Sequence, residues 1–394
     1  MAFSVNSLYR IYNAGLNPLQ LVLVGTTLEL SIFLFEVPTG VIADLISRRL
    51  SIIIGTILIG LATILEGLFP LFIAILAAQF MWGLGYTFTS GALQAWISDE
   101  IGEENAGSAF LHGAQYELIG SFVGVFFGTV IGRSGLNLPM IVSGAGFILV
   151  GIALIFLMPE TNFHPQYLLS QRQIIPFAKM VWKFREGLSL VKVRPFLAPI
   201  LAIGLVFGLY SEGFDRLWVA HMADRFVFTG MEPVVFFGIL QAGSKAVSAL
   251  VIGWSRRLRV NRQVSYASLI LGLSAVLLVL LGGFAVSPLL SLSIVLFLAV
   301  MAVRELSYPI HTAWVNKGLD SSTRATMLSF SSQLDAVGQI GGGPIIGVLA
   351  NQFSIQAGLL ASAALLSPVF ILSWILHKKG WDHQRDSISS IFSG

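Results

Sequence analysis

The chain has 394 residues, of which 55% are hydrophobic and only 11% are charged, whereas about 25% are charged in ordinary globular domains. Its mean hydropathy is +0.83, so we predict an all-α polytopic membrane protein and not a set of soluble domains. The absence of cysteine excludes disulfides and thiolate chemistry, and a net charge of +3 is too small to indicate nucleic-acid binding.

Apolar runs long enough to cross a bilayer recur along the whole chain. In chain order we place eleven spans, at 18–43, 50–69, 70–96, 106–132, 136–158, 195–220, 233–254, 264–286, 288–316, 324–350 and 354–377. The segment before them, Met1 to Asn13, reaches polar residues too soon to cross a bilayer and lacks signal-peptide features. We therefore expect an incomplete first helix, and a late start in the gene assignment is the favoured explanation.

The distribution of lysine and arginine predicts the orientation. With the 43–50 loop inside, cytoplasmic segments hold 17 of the 23 basic residues, whereas Arg10, Arg133 and Arg225 lie in outside loops or near their edges. We expect a multi-pass protein of the plasma (inner) membrane with its C-terminus in the cytoplasm. Within the 159–194 stretch, apolar residues at helical spacing beside lysines predict an amphipathic helix on the inner surface, and a flexible linker is the alternative.

Two stretches of the chain match at a constant offset, which indicates an internal duplication. Ala95-Trp96, Gln115, Glu117, Gly120 and Gly124 recur 218 residues later as Ala313-Trp314, Gln333, Asp335, Gly338 and Gly342. Parallel repeats of this kind build transporters with two related helical halves. We predict bundles at 1–158 and 195–377, a linker at 159–194 and a cytoplasmic tail at 378–394.

The loop after the 18–43 span carries a family signature. Gly40, Asp44, Arg48 and Arg49 resemble the loop Gly-x-Leu-Ala-Asp-Arg-x-Gly-Arg-Arg/Lys of the major facilitator superfamily, with Leu45 in place of an arginine. The sequences Glu36-Val37-Pro38-Thr39 and Ala95 to Glu100 look like those of bacterial drug:proton antiporters. The Gly-Pro pair that such antiporters carry in their fifth helix is absent from the 106–132 span, and Gly343-Pro344 lies instead in the 324–350 span.

The resemblance implies a fold of two pseudo-symmetric six-helix bundles and a gating role for the signature loop. We expect Gly40 to lie where two helices approach closely, because a side chain would hold them apart. We expect Asp44 to accept hydrogen bonds from Arg48 one turn on, or to lie at the N-terminus of a neighbouring helix. Arg48 and Arg49 alternatively serve only as topology anchors.

Ionisable side chains within the spans are the candidates for substrate or proton contacts, because an isolated charge at the bilayer centre costs roughly 2.5–3.5 kcal/mol. They are Glu29, Glu36, Glu117, Glu212, Asp215, Arg216, Lys245, Arg304, Glu305 and Asp335. The resemblance implies that Glu212, Asp215, Arg216, Arg304 and Glu305 line the central cavity. The alternative is structural pairing, for example of Asp215 with Arg216 or of Arg304 with neighbours of Glu305.

These features favour a secondary active transporter that moves a small solute by alternating access. We expect proton coupling, with efflux favoured over metabolite uptake by the resemblance alone, and a non-transporting receptor or scaffold as a further alternative. No nucleotide loop, nucleophile motif or metal-ligand spacing indicates an enzyme, and we predict no cofactor and no metal site. The expected partners are the solute, protons and the lipid bilayer, without nucleic acid, and we expect a monomer.

Overall fold

A computed structural model describes residues 2–163, 176–228, 230–257, 265–317, 319 and 321–379. Within these residues the regular structure is entirely helical, as predicted. The helices are α1 (Ala2–Tyr12), α2 (Pro18–Leu45), α3 (Arg48–Leu68), α4 (Phe72–Thr89), α5 (Ala92–Ile101), α6 (Glu103–Gly132), α7 (Leu138–Leu157), α8 (Pro176–Val193), α9 (Leu197–Arg225), α10 (Pro233–Arg257), α11 (Tyr266–Val286), α12 (Leu290–Asn316), α13 (Ser321–Gln352), α14 (Ile355–Leu365) and α15 (Pro368–Lys378).

Ten spans among the described residues are long and apolar enough to cross a membrane, which confirms a polytopic helical protein. Two of them are each made of two consecutive helices. Gly91, with φ of 70°, separates α4 from α5, and Ser367-Pro368 separates α14 from α15. The predicted span at 324–350 corresponds to the 32-residue α13, which is not among these ten. α1 has 11 residues, fewer than a bilayer crossing requires.

Side-chain caps define where several helices begin. Asn17 accepts a hydrogen bond from Gln20 N, and the Gln20 side chain accepts one from Asn17 N, so α2 starts at Pro18 with a complete capping box. Ser47 caps α3 in the same way through Leu50 N at 2.9 Å. The chain therefore turns from α2 into α3 within two residues, which fixes the signature loop at the ends of both helices.

Cα packing divides the chain into two compact units: unit 1 contains residues 1–182 and 228–239, and unit 2 contains residues 183–227 and 240–394. In unit 1, α3 packs against α4 and α7, and α2 packs against α4. Two glycine pairs allow these crossings. A Cβ at Gly55 would lie 2.5 Å from the Gly85 carbonyl oxygen, and one at Gly60 would lie 2.7 Å from that of Gly144.

In unit 2, α9 packs against α13 and α14, and α11 packs against α12. The backbones of α9 and α13 lie in direct contact where they cross. A Cβ at Gly208 would overlap the Asp335 carbonyl oxygen, and one at Gly338 would overlap that of Leu205. Towards the far end of α9, Phe214 packs against Phe284 of α11 and Phe297 of α12. These contacts fix the face of α9 that carries its charged residues.

Candidate functional site

Arg48 of the signature loop is held mainly by the end of α5. It is 8% exposed and hydrogen-bonds to the Asp99 carboxylate and, at 3.0 Å, to the Ala95 carbonyl oxygen. The distance from Arg48 Nη2 to Asp44 Oδ1 is 3.7 Å, an ion pair without a hydrogen bond, and 42% of the Asp44 side chain is exposed. Of the two expectations for Asp44, the contact with Arg48 is present only as an ion pair, because the hydrogen bonds of Arg48 Nη1 go to Asp99 and Ala95.

A carboxylate that the sequence analysis missed completes this loop. Glu160, which follows α7, accepts hydrogen bonds from Ser47 Oγ at 2.6 Å and from Arg49 N at 2.8 Å. Its negative charge lies at the N-terminus of α3, where the helix dipole is favourable. The Arg49 side chain donates to the Ile155 carbonyl oxygen. The Pro159-Glu160 pair directly after an apolar span was the available signal.

The expected close helix approach at Gly40 is not found. Among the described residues, no atom of another helix would lie within 4 Å of a Cβ at Gly40. The preceding Thr39 is the residue that faces α4, and it donates to the Thr87 carbonyl oxygen at 3.0 Å. Since consecutive helical side chains point about 100° apart, Gly40 is directed away from that contact.

In unit 2 the structure brings the charged residues of α9 and α12 together. Arg304 binds Asp215 with two parallel hydrogen bonds, Nη1 to Oδ1 at 2.5 Å and Nη2 to Oδ2 at 2.7 Å. The rings of Tyr210 and Phe214 lie 5.9 and 5.6 Å from the Arg304 guanidinium carbon. Arg304 is thus fixed by one carboxylate and two aromatic rings, and Asp215 is the more exposed partner.

Two further ion pairs lie beside it. Arg216 Nε donates to Glu212 Oε1 at 2.8 Å, and Lys245 Nζ lies 3.9 Å from Glu305 Oε1. The suggested pairing of Asp215 with Arg216 is wrong, because neighbouring residues on a helix point apart whereas residues four apart share a face. Nearly half of each side chain in the Lys245–Glu305 pair is exposed.

Asp335 is the fourth acid of this unit within the predicted spans. It is partly buried on α13, and its Oδ2 accepts a hydrogen bond from Gln339 Nε2 at 2.9 Å. In the part of the chain that the structure describes, no lysine or arginine lies within 4 Å of its carboxylate. Its backbone carbonyl contacts Gly208 at the α9–α13 crossing.

The candidates in unit 1 have different surroundings. Glu117, the duplicate of Asp335, is exposed on α6, as is Glu36 on α2, and Glu29 is partly buried. The sequence analysis did not select the most buried acid of this unit, Glu66. It lies inside the predicted 50–69 span, and its presence in an apolar run was the signal. No group of three or more metal-ligating side chains occurs among residues with a described placement.

A family model, a sequence relative and solved structures all relate this chain to membrane transporters. A family model described as Major Facilitator Superfamily matches residues 1–304. The chain is 24% identical over 369 residues to the uncharacterized MFS-type transporter YxaM of Bacillus subtilis (strain 168), covering 91% of this chain and 88% of YxaM. The structure is similar to the nucleoside transporter NupG, with a TM-score of 0.74, 14% identity and 95% and 94% coverage. It is also similar to a D-xylose-proton symporter, with a TM-score of 0.71, 13% identity and 95% and 92% coverage.

Proposed function

The chain belongs to the Major Facilitator Superfamily, and we propose that it moves its solute by alternating access in exchange for protons, with efflux as the direction. Secondary transport follows from the family, which consists of transporters and not enzymes. Proton coupling and direction are our own additions. The resemblance of Glu36 to Thr39 and of Ala95 to Glu100 to drug:proton antiporters supports efflux.

The observation that carries proton coupling is the charge balance in unit 2. Each of the three basic candidates named within the spans of this unit, Arg216, Lys245 and Arg304, has a carboxylate within 4 Å. Asp335 is the remaining acid among those candidates, and its hydrogen-bond partner Gln339 is neutral. A partly buried carboxylate without a base within 4 Å exists in both protonation states more readily than a directly paired one, because no ion pair fixes its ionised form. Asp335 is therefore our candidate for the proton site.

The arrangement in the membrane belongs to the same proposal. We place the chain in the inner membrane as a monomer. Its C-terminus lies in the cytoplasm in this proposal, because the lysines and arginines concentrate in the loops on that side. Phe184 of α8 packs edge-on against Phe330 of α13, with ring centroids 5.0 Å apart, which supports a linker helix at the inner surface.

Flux measurements in proteoliposomes test the function. The chain is reconstituted with a pH-sensitive dye inside the vesicles, and a panel of solutes is added: ethidium for efflux substrates, and uridine, D-xylose and a dipeptide for uptake substrates. We expect one solute class to drive proton movement. Absence of solute movement across the panel would argue against transport, and solute movement without protons would refute only the coupling.

The pair of duplicated acids provides the matched variants. Asp335→Asn should keep solute exchange between vesicles and medium but lose the solute-driven proton signal and its pH dependence. Glu117→Gln removes the corresponding acid at an exposed position of α6 and should retain both signals. Equal loss in the two variants would contradict the assignment of the proton site to Asp335.

A further inference from the structure

The end of α6 and the start of α10 meet in a contact that the transport proposal does not use. Arg133 follows the last residue of α6, and Glu232 immediately precedes α10. Both belong to unit 1, which includes residues 228–239. We name this contact the outer clasp, since the predicted orientation places it on the outer side of the membrane. Its members are Thr129, Gly132, Arg133, Glu232, Val234 and Gly238.

The polar part of the outer clasp is a two-point ion pair. Arg133 donates from Nε to Glu232 Oε2 at 2.9 Å and from Nη2 to Oε1 at 3.1 Å. The positive charge lies at the C-terminus of α6 and the negative charge at the N-terminus of α10, so each also interacts favourably with its own helix dipole. With 59% and 50% of the side chains exposed, water competes for both groups. Such a pair forms and breaks without a large barrier.

The apolar part of the outer clasp depends on two glycines. A Cβ at Gly132 would lie 2.9 Å from Val234 Cγ2, and one at Gly238 would overlap Thr129 Oγ1. The backbones therefore approach closely at these points, and Val234 is 7% exposed. The close packing of small residues makes the geometry of this contact specific. Its ion pair is exposed to water, so no buried charge holds the contact closed.

The helix that carries half of the outer clasp is divided between the two units. α10 is continuous from Pro233 to Arg257, yet residues up to 239 pack with unit 1 and those from 240 onward with unit 2. Any change in the disposition of the two units must therefore either bend α10 near this point or separate its first turns from α6. Separation disrupts only an exposed ion pair and a few side-chain contacts, whereas bending breaks hydrogen bonds inside the helix.

We propose that the outer clasp is a reversible latch, closed in this structure, which parts when the protein passes through its transport cycle. The proposal rests on transport by alternating access, in which the two units change their disposition. Arg133 and Glu232 act on the equilibrium between the closed and parted states and touch no solute. Removing either charge favours the parted state.

Distance measurements between spin labels test the latch without any solute. The chain has no cysteine, so Val130→Cys and Met231→Cys place two labels on exposed positions beside the outer clasp. We measure the distance distribution of the full chain in lipid nanodiscs. In Arg133→Gln we expect the fraction of molecules with a longer distance between the two labels to rise about two- to five-fold. This is the range that loss of an exposed ion pair produces. Glu232→Gln should act alike, and the swap Arg133→Glu with Glu232→Arg should restore the original distribution.

A control pair on the same unit makes the result specific. Leu68→Cys and Leu138→Cys label the ends of α3 and α7, which pack together within unit 1 at Gly67 and Met140. Their distance should not change in Arg133→Gln. An unchanged distribution at 130 and 231 in both single variants would overturn the latch, as would an equal change at the control pair. Neither result depends on the solute panel, so failure of the latch and failure of the transport proposal are separable.

Discussion

Arg10 and Glu66 form an ion pair that is almost entirely buried: Arg10 Nε donates to Glu66 Oε1 at 2.7 Å, and only 6% and 3% of the two side chains are exposed. Gln79 Nε2 donates to the other carboxylate oxygen at 2.6 Å, and Tyr9 Oη donates to the Glu66 carbonyl oxygen at 2.8 Å. Three helices, α1, α3 and α4, are thereby joined through one carboxylate.

Removing one partner of this pair should destabilise unit 1. Glu66→Gln leaves the Arg10 charge buried without compensation, so we expect a loss of about 3–5 kcal/mol in the free energy of unfolding. The double variant Arg10→Met with Glu66→Leu should be much closer to the wild type, because it removes both charges together. Unfolding in mixed micelles, followed by circular dichroism, measures the difference. Glu117→Gln, at an exposed position, is the control, and an equal loss there would contradict the assignment.

Alanine at Gly208 should weaken the crossing of α9 with α13. Its Cβ would overlap the Asp335 carbonyl oxygen, a backbone atom that cannot rotate away, so we expect a loss of about 1–3 kcal/mol. Gly272→Ala on α11 is the matched control, because no described atom of another helix would lie within 4 Å of its Cβ. That control should be neutral or gain about 0.5–1 kcal/mol from helix propensity. Thermal unfolding in detergent compares the two, and equal midpoints would contradict close packing at Gly208.

The fold was predictable from the sequence because the membrane-spanning helices are apolar runs of sufficient length. An apolar run between polar loops fixes a span, and the matched Glu117 and Asp335 indicate a duplication without knowledge of any contact. The partners of individual charges were not predictable in this way. Arg304 pairs with Asp215, 89 positions earlier in the chain, and Glu160 accepts a hydrogen bond from the backbone amide of Arg49, 111 positions earlier. Hydropathy reports the composition of a helix, whereas such partners depend on which helix faces meet.

Gly40 is a second case in which the sequence did not predict which residue makes a contact. A glycine in a family signature was expected to mark a close helix approach, yet the contact to α4 is made by Thr39 through the Thr87 carbonyl oxygen. A one-residue difference along a helix rotates the contact face by about 100°. Sequence alone therefore identified the segment of α2 that matters, and the three-dimensional packing determined which of its residues touches a neighbour.

Asp99 should matter more than Asp44 for the stability of the signature loop. Asp99→Asn removes the carboxylate that hydrogen-bonds to Arg48, a residue only 8% exposed, and we expect a loss of about 1.5–3 kcal/mol. Asp44→Asn should cost less than about 1 kcal/mol, because its ion pair with Arg48 is long and partly exposed. If the loop gates transport, Asp44→Asn should nevertheless slow solute flux. Wild-type flux in that variant would refute the gating role, and equal unfolding midpoints would refute the ranking.

The Arg133–Glu232 pair predicts a pH dependence at the outer clasp. The hydrogen bond from Arg133 lowers the pKa of the Glu232 carboxyl below its ordinary value. A carboxyl whose pKa is lowered in the folded state stabilises that state above its ordinary pKa, and this stabilisation is lost as the pH falls through the lowered value. The difference in unfolding midpoint between wild type and Glu232→Gln should therefore be constant above about pH 5 and shrink in more acidic solution. A difference that instead grows on acidification would contradict the pair.

A disulfide across the outer clasp should stop transport. A Cβ at Gly238 would lie 3.3 Å from Thr129 Cβ, close to the roughly 3.5–4.5 Å that disulfides span, so Thr129→Cys with Gly238→Cys should cross-link on oxidation. Because the latch must part in each cycle, we expect oxidised protein to lose solute flux and to recover it on reduction. Gly67→Cys with Met140→Cys offers a Cβ separation of 3.1 Å between α3 and α7, two helices that belong to unit 1 along their whole length, unlike α10. This control should keep its flux when oxidised, and full flux in the cross-linked clasp variant would show that α6 and α10 never separate there.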